Sequence, residues 1–98
     1  MSDKIYSIEE IQTMIKPIAE NFGVERIYLF GSYARGEATP DSDMDFRVDK
    51  GKVTGFAFGG LINAISDTFD KEVDVVTTAS LDQDFLRHIS EEEVLLYA

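Results

Sequence analysis

Phe30-Gly31-Ser32-Tyr33-Ala34-Arg35-Gly36 and, six residues on, Ser42-Asp43-Met44-Asp45-Phe46 are the stretches that decide how this chain is read. Just ahead of Gly31, Arg26-Ile27-Tyr28-Leu29-Phe30 is a short β-rich run. Gly31 follows it directly and lets the backbone turn sharply with no Cβ in the way. Residues 32–42 hold Gly36, Pro40 and several small polar side chains, and read as a loop with one short helical turn. From Asp43 to Asp49 the chain alternates strictly. Asp43, Asp45, Arg47 and Asp49 fall on one side and Met44, Phe46 and Val48 on the other, the pattern of a half-buried strand with an acidic outer face.

Working outward, Ser7-Ile8-Glu9-Glu10 has the form of a capping box. Ile8, Ile11, Ile15, Ile18 and Phe22 then recur at helical spacing, and Gly23 is a C-terminal stop. Pro17, inside this pattern, is expected to kink the helix or end its regular part. Beyond the turn bounded by Gly51 and Gly55, Leu61, Ile62, Ile65 and Phe69 mark a second helix. A third strand follows at Val73 to Thr77, a short helix at Leu81 to Ile89, and a terminal strand or apolar tail at Val94 to Tyr97. Two adjacent strands followed by a crossover helix predict an α/β (α+β) fold. Its expected form is a mixed central sheet of about four strands with helices packed mainly on one face.

The 98 residues fit one domain, 1–98, and no more. With 9 basic against 19 acidic residues the net charge is −10, and there is no basic run. Phosphate backbones are bound by neutralising them with Lys and Arg, so direct nucleic-acid binding is not expected, whereas divalent cations or a basic partner are. No stretch reaches the roughly 20 apolar residues of a membrane span. Met1-Ser2-Asp3-Lys4 lacks the basic and apolar regions of a signal peptide. Cysteine is absent, which removes disulfides, thiolate metal sites and a thiol nucleophile. A cytoplasmic location is the simplest expectation.

The chemistry is expected around Gly31. Backbone N–H groups at a turn leading into a helical turn can hold phosphate. Ser32 adds a hydroxyl donor and Arg35 a forked cationic one. Asp43 and Asp45, two apart on a strand, face the same way and offer the hard oxygen ligands that Mg²⁺ requires. Asp74 interrupts the apolar run Val73-Asp74-Val75-Val76 and can lie beside them on a neighbouring strand. Two unit charges about 4 Å apart repel by about 4 kcal/mol at an effective dielectric of about 20, against a whole-domain stability of about 5–15 kcal/mol. Three clustered carboxylates are therefore expected either to protonate in part or to take up metal.

These residues resemble the signature of the DNA polymerase β nucleotidyltransferase superfamily: a hydrophobic residue, Gly-Ser, about ten residues, then Asp-hydrophobic-Asp-hydrophobic. Here these are Phe30, Gly31, Ser32, ten intervening residues, and Asp43, Met44, Asp45 and Phe46. The string Gly31-Ser32-Tyr33-Ala34-Arg35-Gly36 with Ser42-Asp43 resembles the minimal nucleotidyltransferase (MNT) subgroup. The resemblance implies a polymerase β-like fold and transfer of a nucleoside monophosphate from an NTP. Two Mg²⁺ ions, with Mn²⁺ as a substitute, would be held by Asp43 and Asp45. Asp74 would bind the ion near the acceptor and assist the acceptor's deprotonation. Ser32, Gly31 and Arg35 would contact phosphate. Many MNT proteins are paired with a HEPN ribonuclease toxin and transfer AMP from ATP to one of its tyrosines, so an antitoxin role is implied as well. Two other readings stay open: a non-catalytic antitoxin that neutralises its partner by binding, and a nucleotidyltransferase acting on a small molecule. Self-association is also left open.

Other residues carry blander expectations. Arg47 is read as a counter-charge that neutralises the acidic cluster. Asp41 and Asp49 are read as solvated, and His88 as a surface residue. Phe56, Phe58, Leu61, Ile62, Ile65 and Phe69 are expected to be mostly core, with part available to a partner.

Overall fold

Ser7 begins the first helix in the manner its sequence predicts. Its hydroxyl accepts from the Glu10 N–H at 3.1 Å, and the Glu10 carboxylate accepts from the Ser7 N–H at 3.0 Å. In the computed structural model, which describes residues 3–98, this helix is α1, Ile8–Phe22. Met1 and Ser2, half of the start weighed above as a leader, lie outside the described residues. Of the two expectations for Pro17, a stop does not occur, because α1 runs through it. Pro17 is exposed, so the hydrogen bond it cannot make falls on the side open to water while Ile11, Ile15 and Ala19 keep the inner face packed. The helix ends at Gly23, left-handed at φ 74°.

The remaining elements are β1 (Arg26–Phe30), the single-turn helix α2 (Gly31–Arg35), β2 (Met44–Asp49), α3 (Gly55–Phe69), β3 (Val73–Thr77), a 3₁₀ turn (Thr78–Ser80), α4 (Gln83–Ser90) and β4 (Val94–Tyr97). The strands form one mixed sheet in the order β3-β2-β1-β4. β1 pairs antiparallel with β2 and with β4, and β2 pairs parallel with β3. The parallel pair needs a crossover, and α3 supplies it.

Alternation gives the sheet two different faces. Ile27 and Leu29 of β1 and Met44, Phe46 and Val48 of β2 are fully buried against Ile11, Ile15 and Ala19 of α1 and Leu61, Ile65 and Phe69 of α3. The Phe69 ring stacks on Phe46 at 6.3 Å and meets Tyr6 edge-on at 5.2 Å. The opposite face carries Phe30, Asp45 and Arg47. There the short α4 packs through Phe85, edge-on to Phe30 at 6.2 Å. The two long helices thus share one face, as expected. The apolar series in α3 divides: Leu61, Ile65 and Phe69 are core, whereas Phe56 is 98% exposed at the helix start. Among the described residues no helix is long and apolar enough to cross a membrane.

Phe69 closes the core between both helices and the sheet. Phe69→Ala is expected to cost about 3–5 kcal/mol, read as a lower midpoint in urea unfolding with little change in slope.

Candidate active site

The end of β1 and the starts of β2 and β3 lie at the same end of the sheet. In the register, Phe30 stands opposite Asp45, and Asp45 stands opposite Asp74. Residues in register on adjacent strands project to the same face, so Asp45 and Asp74 are neighbours there. Asp43 lies one pleat earlier, just before Met44, whose N–H donates to the Glu72 carbonyl at 3.2 Å. The register thus brings Asp43, Asp45 and Asp74 to one corner of the sheet.

Gly31 is held against this corner. Its φ of 76° is in the left-handed region. A Cβ built there would overlap the Asp45 carboxylate, with Cγ only 3.1 Å away. The left-handed backbone favours glycine here, and a larger residue would also have to displace the Asp45 carboxylate. Ser32 and Arg35 follow on α2. The Ser32 hydroxyl makes no hydrogen bond with the described residues, and its carbonyl accepts from the Glu37 N–H at 2.9 Å. Behind the loop, the 97%-buried Lys71 donates through Nζ to the Pro40 carbonyl at 3.1 Å. That bond ties residues 36–43 to the start of β3.

The acids on this face form two groups. Asp49 accepts from Arg26 at 2.7 Å and from Thr78, and Glu93 accepts from Arg47 at 2.9 and 2.5 Å. Asp43, Asp45 and Asp74 have no hydrogen bond or ion pair among the described residues. Burial pushes the Asp45 carboxyl up to about 6; Asp74 and Asp43 add to the rise and Arg35 opposes it. Oxygen donors without protein partners, one of them disfavoured as a bare anion, fit a divalent cation. Among the described residues no three acidic or histidine side chains already close into a metal cage.

Two expectations need correction. Arg47 is a counter-charge, but to Glu93 and to Asp49, whose Oδ1 is 3.7 Å away, and not to the triad. It also stacks on Tyr28 at 3.9 Å. Its place two residues beyond Asp45 points it at the α4–β4 turn and the 3₁₀ turn. Asp49 is half-buried and bonded rather than solvated.

Sequence reasoning missed Glu92. Its Oε1 accepts from the Gly31 N–H at 3.3 Å, and both its oxygens accept from Arg35 Nη1 at 3.2 Å. Glu91-Glu92-Glu93 looks like any exposed acidic turn, and the contact spans 61 residues of sequence. No local signal marks it.

A model of the polymerase beta nucleotidyltransferase family matches residues 12–98. The chain is 34% identical over 93 residues to a Thermococcus cleftensis protein named protein adenylyltransferase MntA, covering 90% of this chain and 94% of the relative. A solved structure described provisionally as a minimal nucleotidyltransferase superposes with a TM-score of 0.76 at 26% identity, over 91% of this chain and 95% of that one. A chain from a complex of tri-AMPylated Shewanella oneidensis HEPN toxin with MNT antitoxin gives 0.70 at 20% identity, over 93% of this chain and 72% of that chain, a likeness of fold.

Two outcomes follow from the corner's geometry. Gly31→Ala is expected to cost about 1–2 kcal/mol from the left-handed backbone alone. Thermal melting should show a drop of several degrees, since about 4–8 °C accompanies each kcal/mol in a domain this small. Asp45, with its carboxyl raised to about 6 in the folded chain, binds a proton more readily folded than unfolded. Its ionisation therefore lowers stability as pH rises from about 4 to about 6. In metal-free buffer, Asp45→Asn is expected to melt higher than wild type at pH 8, with the difference vanishing near pH 4.

Proposed function

The chain belongs to the polymerase β nucleotidyltransferase family, and on that footing we propose that it transfers AMP from ATP to a protein acceptor, using Asp43, Asp45 and Asp74. The observation that carries this reading is the register that sets Asp45 beside Asp74, with the Gly31 turn against Asp45. Nucleotidyl transfer needs a phosphate cradle next to clustered oxygen ligands, and these elements supply both parts within one corner of the sheet.

Gly31 N–H, the Ser32 hydroxyl and the Arg35 guanidinium hold the β- and γ-phosphates. Asp43 and Asp45 would hold divalent ions, Mg²⁺ with Mn²⁺ as substitute, and Asp74 would join them as a further oxygen ligand. When bound, such ions stabilise the attacking and the leaving oxygen of an in-line displacement. The acceptor hydroxyl oxygen forms a bond to the α-phosphorus, the bond from that phosphorus to the β-bridging oxygen breaks, and pyrophosphate leaves. Asp74, which is exposed whereas Asp45 beside it is half-buried, takes the hydroxyl proton.

A protein acceptor is supported by the name of the Thermococcus cleftensis relative. A HEPN-type toxin as that acceptor, with this chain as its antitoxin, is supported by the fold shared with a chain of the AMPylated HEPN–MNT complex. The low count of basic residues supports a partner other than nucleic acid.

Labelled ATP with Mg²⁺ and a HEPN-type partner should place label on the partner. Asp45→Asn and Asp43→Asn are each expected to abolish labelling while circular dichroism shows the fold intact. Label transferred by either variant at the wild-type rate would refute the assignment. Label found only on a small molecule in cell extract would redirect it to a small-molecule acceptor.

A further inference from the structure

We propose that Glu92 is the resident occupant of the phosphate cradle, so that nucleotide enters by exchange with this side chain. The inference rests on the reading above of Gly31 and Arg35 as phosphate donors. In the chain without nucleotide, those same donors are already engaged. Glu92 Oε1 accepts from the Gly31 N–H at 3.3 Å, and Arg35 Nη1 donates to both carboxylate oxygens at 3.2 Å. A carboxylate and a phosphate both offer anionic oxygens to a forked cation and a backbone N–H. The single Gly31 N–H cannot serve both at once, and the Arg35 Nη1 donors are directed at the carboxylate.

The surroundings suit exchange rather than permanent occupancy. The turn that carries Glu92 is fixed independently of it. The Glu92 and Glu93 N–H groups both donate to the Ile89 carbonyl, at 3.1 and 2.9 Å. Glu93 is locked to Arg47 at 2.9 and 2.5 Å. Glu92 can therefore leave by rotation about its own side-chain bonds while the turn stays folded. Its side chain is 24% exposed, which gives it a way out, whereas Glu93 is 10% exposed. Arg35 keeps a second partner meanwhile, Glu37 at 3.2 Å. Glu92 also adds a negative charge to a corner that already holds Asp43, Asp45 and Asp74, so its departure lowers the repulsion that an incoming triphosphate meets.

A purely structural role for Glu92 makes the opposite prediction. A brace that aims Arg35 at phosphate would, when weakened, lower nucleotide affinity. A resident competitor, when weakened, raises it. Calorimetric titration of AMP-PNP with Mg²⁺ into wild type, Glu92→Gln and Glu91→Gln at one salt concentration separates the two. Glu91 is the exposed neighbour and controls for loss of one negative charge. Melting curves without ligand check that each variant is folded. Glu92→Gln is expected to bind roughly threefold to tenfold more tightly than wild type, the range that a weak ion pair and its repulsion span, with Glu91→Gln near wild type. Equal or weaker binding by Glu92→Gln overturns the exchange while leaving the nucleotide reading in place. Equal tightening by Glu91→Gln also overturns it, because bulk charge would then be the cause. Binding by neither wild type nor Glu92→Gln overturns both.

Discussion

The backbone of Gly31 lies against the carboxylate of Asp45, so close that a Cβ there would have to displace it. That steric relation joins the donors of the loop to the acids of the sheet. It is set from the other side of the sheet, by packing. Leu29 opposite Phe46 and Ile27 opposite Val48 bury the inner face, and the same register puts Phe30 opposite Asp45. A slip of one residue would turn Phe46 outward and Asp45 into the core, so the cost of burying a carboxylate guards the alignment. The site is thus positioned by residues that never touch it.

Electrostatics divides the acidic face along the same strand. Asp45 and Arg47 share one side of β2, two residues apart, but sit in different company. Toward the far end, Arg47, Arg26, Asp49, Glu93 and Thr78 satisfy one another in a half-buried network. Toward the near end, three carboxylates lack any such partner among the described residues. A chain of net charge −10 that spends its buried arginine at one end leaves the other end suited to a cation from solution. The family to which the chain belongs generally uses divalent metal, and the division of charge accords with that.

Much of this was legible in the sequence because the relevant signals are local. The Ser7 to Glu10 cap, the strict alternation from Asp43 to Asp49, and the Gly31 break after β1 each depend on residues a few places apart. Their physical causes act over the same range. Asp74 stands out in the sequence because an acid in an apolar strand is conspicuous. What escaped depends on partners far along the chain. The partners of Arg47 and Asp49 come from the 3₁₀ turn and the α4–β4 turn, and Glu92 reaches Gly31 only once β4 has docked beside β1. That Pro17 does not stop α1 has another reason. Its cost depends on whether the lost hydrogen bond faces water, and helical spacing alone does not weigh that against the packing of Ile15 and Ala19.

Lys71 acts as a tie between two segments of the corner. A buried amine that grips the Pro40 carbonyl fastens the loop bearing Asp43 to the strand bearing Asp74. The two acids then belong to one stiff body, and the entropy of bringing them together is lost during folding instead of at each encounter with a cation. The backbone of the corner is thus held in place before any ligand arrives.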